Sequence, residues 1–142
     1  GYFEFPNGRV DFDHVHFVAA GNTVGSGADD MYTGRMVLDQ ATLDRFAIIE
    51  FDYSMNIEMA ITKNNAELVS FIRQLRDEAE HKGIRATFSY RCLTMITKLE
   101  KDLVMAMTIS IVKGLDKDTI NTLNPVGGSK YHKALKKIQM AA

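Results

Sequence analysis

Two hydrophobic periods divide the chain. Up to Ser54 the apolar side chains come in short alternating or continuous runs, and beyond it they recur at helical spacing. A strand-bearing first part and a helical second part are therefore expected. Tyr2-Phe3-Glu4-Phe5 and Arg9-Val10-Asp11-Phe12 flank Pro6-Asn7-Gly8. An Asn-Gly pair between alternating segments predicts a β-hairpin, with Asn7 and Gly8 at its tip. Residues 15–20, apolar apart from His16, predict a buried strand that breaks off at Gly21-Asn22-Thr23. A polar loop with Gly25, Gly27 and Gly34 follows. Next comes a short amphipathic helix that turns Leu38, Ala41 and Leu43 inward and ends in Leu43-Asp44-Arg45-Phe46. A second buried strand is expected over residues 47–53.

The helical part opens with a short helix over residues 57–62. Asn64, with Glu67 three positions on, has the spacing of a capping box. The helix it starts carries Leu68, Phe71, Ile72, Leu75 and Ala79 on one stripe, and Gly83 stops it. Ser89 reads as the N-cap of a helix with Leu93, Ile96 and Leu99 on its apolar side. Asp102 caps residues 103–112, which are apolar nearly all round and so belong at the centre of the helical part, with Met105 and Met107 as core filler. Gly114 ends that helix, Asp116 begins another that Asn124-Pro125 terminates, and Gly127-Gly128 reads as a flexible joint. In the last helix, which Ser129 starts, Lys130, Lys133, Lys136 and Lys137 oppose Tyr131, Leu135 and Ile138. Such a basic amphipathic end is either a solvated terminal helix or a docking face. The expected organisation is an α/β part over residues 1–54 and an all-α part of about five helices over 55–142.

Composition narrows the class. The chain has 142 residues, 46% hydrophobic and 25% charged, which suits one cored domain or two small ones rather than disorder or a fibre. No apolar run approaches the roughly 18 residues of a membrane span. No charged-then-apolar leader opens the chain, and its first residue is Gly1, as in an excised piece. Cys92 has no cysteine to pair with, and together with eight Met it suits a reducing cytoplasm. The net charge of −1 hides a split: nine acids against three bases (−6) up to residue 54, and nine against fourteen (+5) beyond. Opposite signs on the two parts suit head-to-tail packing of copies, or simply an acidic sheet edge and a basic helical surface. A clustered basic stripe and a high pI, the marks of a nucleic-acid binder, are missing from the sequence.

Candidate chemistry begins at Asn22. A carboxamide at the carboxyl end of a central strand offers a donor and an acceptor where ligands sit in open α/β sheets. Otherwise Asn22-Thr23 forms an Asx-type turn. Gly25-x-Gly27 is no phosphate cradle, because no Gly-Lys pair occurs anywhere in the chain. Glu50 and Asp52, separated by Phe51, lack the adjacent Asp-Glu that holds Mg²⁺ in a Walker B strand. His14 and His16 share a strand face without a third ligand at metal-binding spacing, so no metal site is expected.

The segment Ala19-Ala20-Gly21-Asn22-Thr23, the later Tyr32-Thr33-Gly34 and the Leu43-Asp44-Arg45-Phe46 tetrad together resemble one family. These residues are similar to the AAA+ ATPases, in the branch of MoxR-like, CobS-like and McrB-like proteins. The resemblance covers nearly the whole chain but starts downstream of the nucleotide-binding motifs. It implies the carboxyl-terminal part of a P-loop AAA+ module, with a hairpin and the last strands of the sheet, followed by a helical lid. In that branch the hairpin can face a ring's central pore. By resemblance Asn22 is sensor 1, orienting the attacking water, and Thr23 assists by position. Arg45 is the arginine finger lent to a neighbouring subunit, with a surface pairing to Asp44 or Asp52 as the alternative. Arg91, two residues after Ser89, matches the sensor 2 arginine at the start of a lid helix. Arg85 is its rival, and a solvated helix arginine is the plain reading. The resemblance further implies ATP and Mg²⁺ in the intact parent, none bound by this fragment alone, and a homo-oligomeric ring, a hexamer. That ring would hydrolyse ATP to remodel a protein client, with a von Willebrand-type partner in some members and no nucleic acid or membrane involved. A stand-alone interaction module and a McrB-like GTPase of a restriction system are the alternatives.

Overall fold

The structure, a computed structural model, describes residues 1–12, 14, 16, 18–21 and 36–141. Its described elements are a two-stranded antiparallel sheet and seven α-helices. The chain divides into two compact units, Gly1–Ile49 and Glu50–Ala142.

In the first unit, strands β1 (Tyr2–Phe5) and β2 (Gly8–Asp11) pair antiparallel from Tyr2 opposite Asp11 to Phe5 opposite Gly8. The hairpin forms as expected, but its turn is centred one residue earlier, on Pro6-Asn7. Proline presets the first turn residue, and Gly8 then opens β2 at φ +145°, a value side-chain-bearing residues rarely reach. Arg9 pairs with Asp11 (Nη2 to Oδ1, 2.7 Å) and lies 3.9 Å over the Tyr2 ring. Helix α1 (Gln40–Leu43) is a single turn. It is held by its cap: Asp39 Oδ1 accepts from Thr42 N at 2.9 Å and Oδ2 from Thr42 Oγ1 at 2.6 Å.

Three expectations for this region change. Leu38 is exposed and α1 buries no residue, so the amphipathic helix has no inward side. Residues 47–53 do not form a strand, and Ile49 and Phe51 are 73% and 93% exposed. A strand is half of a hydrogen-bond ladder, and no other half exists for this one among the described residues. Of the strand expected over 15–20, Val15 and Phe17 lie outside the described residues, and residues 16 and 18–20 pair in no ladder.

The second unit contains α2 (Met55–Ile61), α3 (Ala66–His81), α4 (Tyr90–Lys98), α5 (Leu103–Ser110), α6 (Lys117–Thr122) and α7 (Lys130–Ala141). The stripe read from the sequence is the buried face of α3: Leu68, Phe71, Ile72, Leu75 and Ala79 are at most 5% exposed. They meet Leu93 and Ile96 of α4, Ala106 and Met107 of α5, and Tyr131, Leu135 and Ile138 of α7 in one cluster. Each large apolar side chain buried there contributes about 1.5–3 kcal/mol.

The helix ends explain where the elements begin. Asp102 and Asp116 accept the amides of Met105 (3.0 Å) and Thr119 (2.8 Å) as N-caps. Gly83, at φ +62°, closes α3 in a Schellman turn, with Ile84 N donating to Ala79 O at 2.8 Å. The expected cap at Asn64 moves by one residue, to Asn65, which accepts from Leu68 N at 3.0 Å. Asn64 is committed to the preceding helix. Lys63 and Asn64 take φ of +55° and +64°, and Asn64 N donates to Met59 O at 2.7 Å, so the stop of α2 and the start of α3 abut. Asn65 then spends its amide on Tyr131 Oη (2.7 Å), tying α3 to α7.

Helix α5 is not central. It buries Ala106 and Met107 between α4 and α7, while Val104, Met105 and Ile109 remain exposed, Met105 by 55%. Of the two methionines, only Met107 fills the core. Gly127 matters for close approach rather than as a joint: a Cβ there would lie 2.6 Å from the buried imidazole of His132.

Candidate functional site

Arg91 occupies the first turn of α4 because Ser89 caps that helix, its Oγ accepting the Arg91 amide at 3.3 Å. The side chain is exposed. The next residue, Cys92, is buried and its Sγ donates to Ser110 O at 3.0 Å. Burial pushes the Cys92 thiol pKa up, against smaller lowering contributions from the Ser89 hydrogen bonds and Arg76. Arg85 lies in the segment between α3 and α4.

Arg45 lies just past the Asp44 C-cap of α1, its amide donating to Thr42 O at 3.2 Å. Its side chain is exposed and forms no ion pair with the adjacent Asp44. Just before α1, the hydrogen bonds from Thr42 hold the exposed Asp39 carboxyl below its usual range. Arg45 belongs to the first unit and Arg91 to the second. Asn22 and Thr23 lie outside the described residues, as do Gly25, Gly27, Asp29, Asp30, Tyr32 and Gly34. His14 and His16 are exposed, and among the described residues no three His, Cys, Asp or Glu side chains gather as a metal site.

Sequence reasoning missed the most constrained polar group of the second unit. Glu58, on α2, is 0% exposed. Its Oε2 accepts from Arg73 Nε at 2.6 Å and its Oε1 from Arg76 Nη1. Arg73 also donates to Tyr53 O at 3.3 Å, and Arg76 Nε donates to Phe88 O at 2.6 Å. The Arg76 guanidinium covers the Tyr53 ring at 3.5 Å, and Tyr53 meets Tyr90 edge-on at 5.2 Å. Tyr90 Oη accepts from Ser54 N at 2.7 Å. Two guanidinium groups on one carboxylate leave a local positive excess, with Arg76 Nη2 buried and unpartnered. Arg73 and Arg76, three apart on α3, shared a helix face in the sequence. Nothing local pointed to Glu58 as their common partner.

Beside this cluster a cavity of about 410 Å³ is lined by Met55, Met59 and Val69 together with Arg73, Gln74 and Asp77. Gln74 Oε1 is buried without a hydrogen bond. At the start of α7, Ser129 Oγ bonds His132 Nδ1 at 2.6 Å and takes the Tyr131 and His132 amides, so the pair closes the helix end as a capping box does. In comparisons with known proteins, no family model, no curated protein and no solved structure matched this chain.

Proposed function

We propose that this chain is the carboxyl-terminal part of a ring-forming AAA+ ATPase of the MoxR-like, CobS-like and McrB-like branch. In that reading the parent binds ATP with Mg²⁺ and hydrolyses it in a hexameric ring to remodel a protein client in the cytoplasm. Asn22 orients the attacking water, Arg45 reaches the nucleotide of the adjacent subunit and Arg91 contacts the nucleotide of its own. The observation that carries the reading is the exposed guanidinium of Arg91 in the first turn of a Ser-capped helix, in a chain that also reads Asn22-Thr23 and Leu43-Asp44-Arg45-Phe46. An exposed Arg45 unpaired with Asp44 also suits a residue whose charge acts on another molecule. A rigid multi-donor fork stabilises the charge that builds on a transferring phosphoryl group, and such fingers are worth about 10³–10⁵ in rate.

The test starts upstream of Gly1, where the reading requires G-x-x-x-x-G-K-[S/T] and an apolar strand ending in Asp-Glu. Their absence from the gene sinks it. If they are present, Arg45→Ala in the full-length gene product is expected to lower kcat by about 10³-fold or more while ATP still binds. The 142-residue chain alone is expected to show no turnover. ATP–GTP competition on the full-length product separates the McrB-like GTPase.

A second reading is a protein-interaction module using the helical unit. It is favoured by the exposed Val104, Met105 and Ile109 on one side of α5. A gene without the two upstream motifs, whose product binds no ATP, would select it.

A further inference from the structure

Residues 53 and 54 lie just before the first helix of the second unit and are only half-buried, yet both are held by hydrogen bonds to side chains of later helices. The Tyr53 carbonyl takes Arg73 Nη2, the Tyr53 ring packs under the Arg76 guanidinium and makes a T-shaped contact with Tyr90, and the Ser54 amide donates to Tyr90 Oη. The two arginines are aimed by the fully buried carboxylate of Glu58, and Arg76 is anchored again on Phe88 O. An exposed connection ordinarily leaves such backbone groups to water. A buried ionic cluster is also no more stabilising than well-packed apolar side chains of the same volume. What it adds is a single geometry, fixed by directional bonds. Tyr90 is the only member on α4, and the next residue is Arg91.

We infer that Tyr90 is a positioning residue that couples Arg91 to the chain leading into the helical unit. When Arg91 engages a triphosphate, the first turn of α4 shifts. The Tyr90 hydroxyl passes that shift to the Ser54 amide, while Arg73 and Arg76, held by Glu58, keep the Tyr53 carbonyl and ring in place with α2 and α3 as the frame. The inference rests on the proposed role of Arg91, but the latch itself is geometry within the unit. It also places Tyr90 outside the nucleotide contacts, so its loss is expected in turnover and not in affinity.

Tyr90→Phe removes only the hydroxyl and keeps the ring. In the 142-residue chain it is expected to speed hydrogen exchange at the Ser54 amide by roughly two- to tenfold, the factor of one ordinary hydrogen bond. Arg91→Ala should leave that amide unchanged. In the full-length gene product, Arg91→Ala is expected to raise the Kd for ATP at least about tenfold, as loss of a charged hydrogen bond does. Tyr90→Phe is expected to leave that Kd within about twofold and to lower kcat by a factor like that seen in exchange. Unchanged exchange at Ser54 overturns the latch. Faster exchange with unchanged kcat, where Arg91→Ala still weakens binding, overturns the coupling and leaves the proposed function standing. An ATP affinity indifferent to Arg91→Ala removes the role of Arg91 and the coupling with it.

Discussion

The two units carry apolar side chains of the same kinds and use them differently. In Glu50–Ala142 the leucines and isoleucines of α3, α4 and α7 close on one another and on Phe71. In Gly1–Ile49 the described Phe3, Phe5, Val10, Ile48 and Ile49 are half or more exposed, or nearly so. The difference lies in what each pattern needs. A helix satisfies its own backbone, so an amphipathic stripe needs only another stripe. A strand must find a ladder as well as a core, and an isolated hairpin is marginal in water. The helical unit is therefore a structure in itself, whereas the described residues of the first unit are held by the hairpin ladder, the Asp39 cap and the Arg9–Asp11 surface ion pair.

The widest test of that contrast pairs two truncations. Phe71→Ala, in the core against Tyr131 (ring centroids 5.9 Å apart), is expected to cost about 3–5 kcal/mol in urea unfolding followed by helical circular dichroism. Ile49→Ala, 73% exposed, should stay within about 0.5 kcal/mol. Equal costs at the two sites would erase the distinction. Next comes the ionic cluster. Glu58→Ala leaves Arg73 and Arg76 facing each other without their common carboxylate, and about 3–5 kcal/mol should be lost by the same measurement. A loss below about 1 kcal/mol would mean that solvent reaches the guanidinium groups and that the cluster holds nothing in place.

A smaller effect of opposite sign is expected at Lys63. It sits at φ +55° where the stop of α2 calls for glycine, so Lys63→Gly should stabilise by about 1 kcal/mol. A fall in melting temperature would show that the lysine side chain does more than occupy the turn.

The same site shows what could be read in advance. Ser89, Asp102, Asp116 and Gly83 were legible because a cap involves residues two to five apart in the chain. The α3 stripe was legible because a single period carried it. Asn64 and Asn65 were confused because both carry cap chemistry, and only the positive φ of Lys63 and Asn64 assigns the first to the end of α2. Helix α5 looked central because it is apolar all round, but α4 and α7 cover only the side with Ala106 and Met107. Residues 47–53 read as a strand on composition, which cannot report whether a ladder partner exists. Of the candidate site, the Ser89 cap placed Arg91 correctly in a first turn. The Glu58 cluster stayed hidden because its partners lie 15 and 18 residues away.

The smallest and sharpest test concerns alkali. Burial raises the pKa of Cys92 and, through the same cause, that of Tyr131, while both groups belong to the core that distinguishes the helical unit. In the folded chain each group holds its proton more tightly than in the unfolded one. The stability this represents is complete below the ordinary thiol pKa of about 8.5 and is lost as pH rises through the raised value, with Tyr131 continuing the decline from about pH 10. Melting temperature should therefore fall from about pH 8.5 upward, and Cys92→Ala should remove the first part of that fall while leaving the second. Alkylation of the Cys92 thiol should likewise be slow in the folded chain and fast in urea. A thiol that reacts at the same rate in both would place Cys92 at the surface, and the helical unit would then lack the closed core that sets it apart from the hairpin.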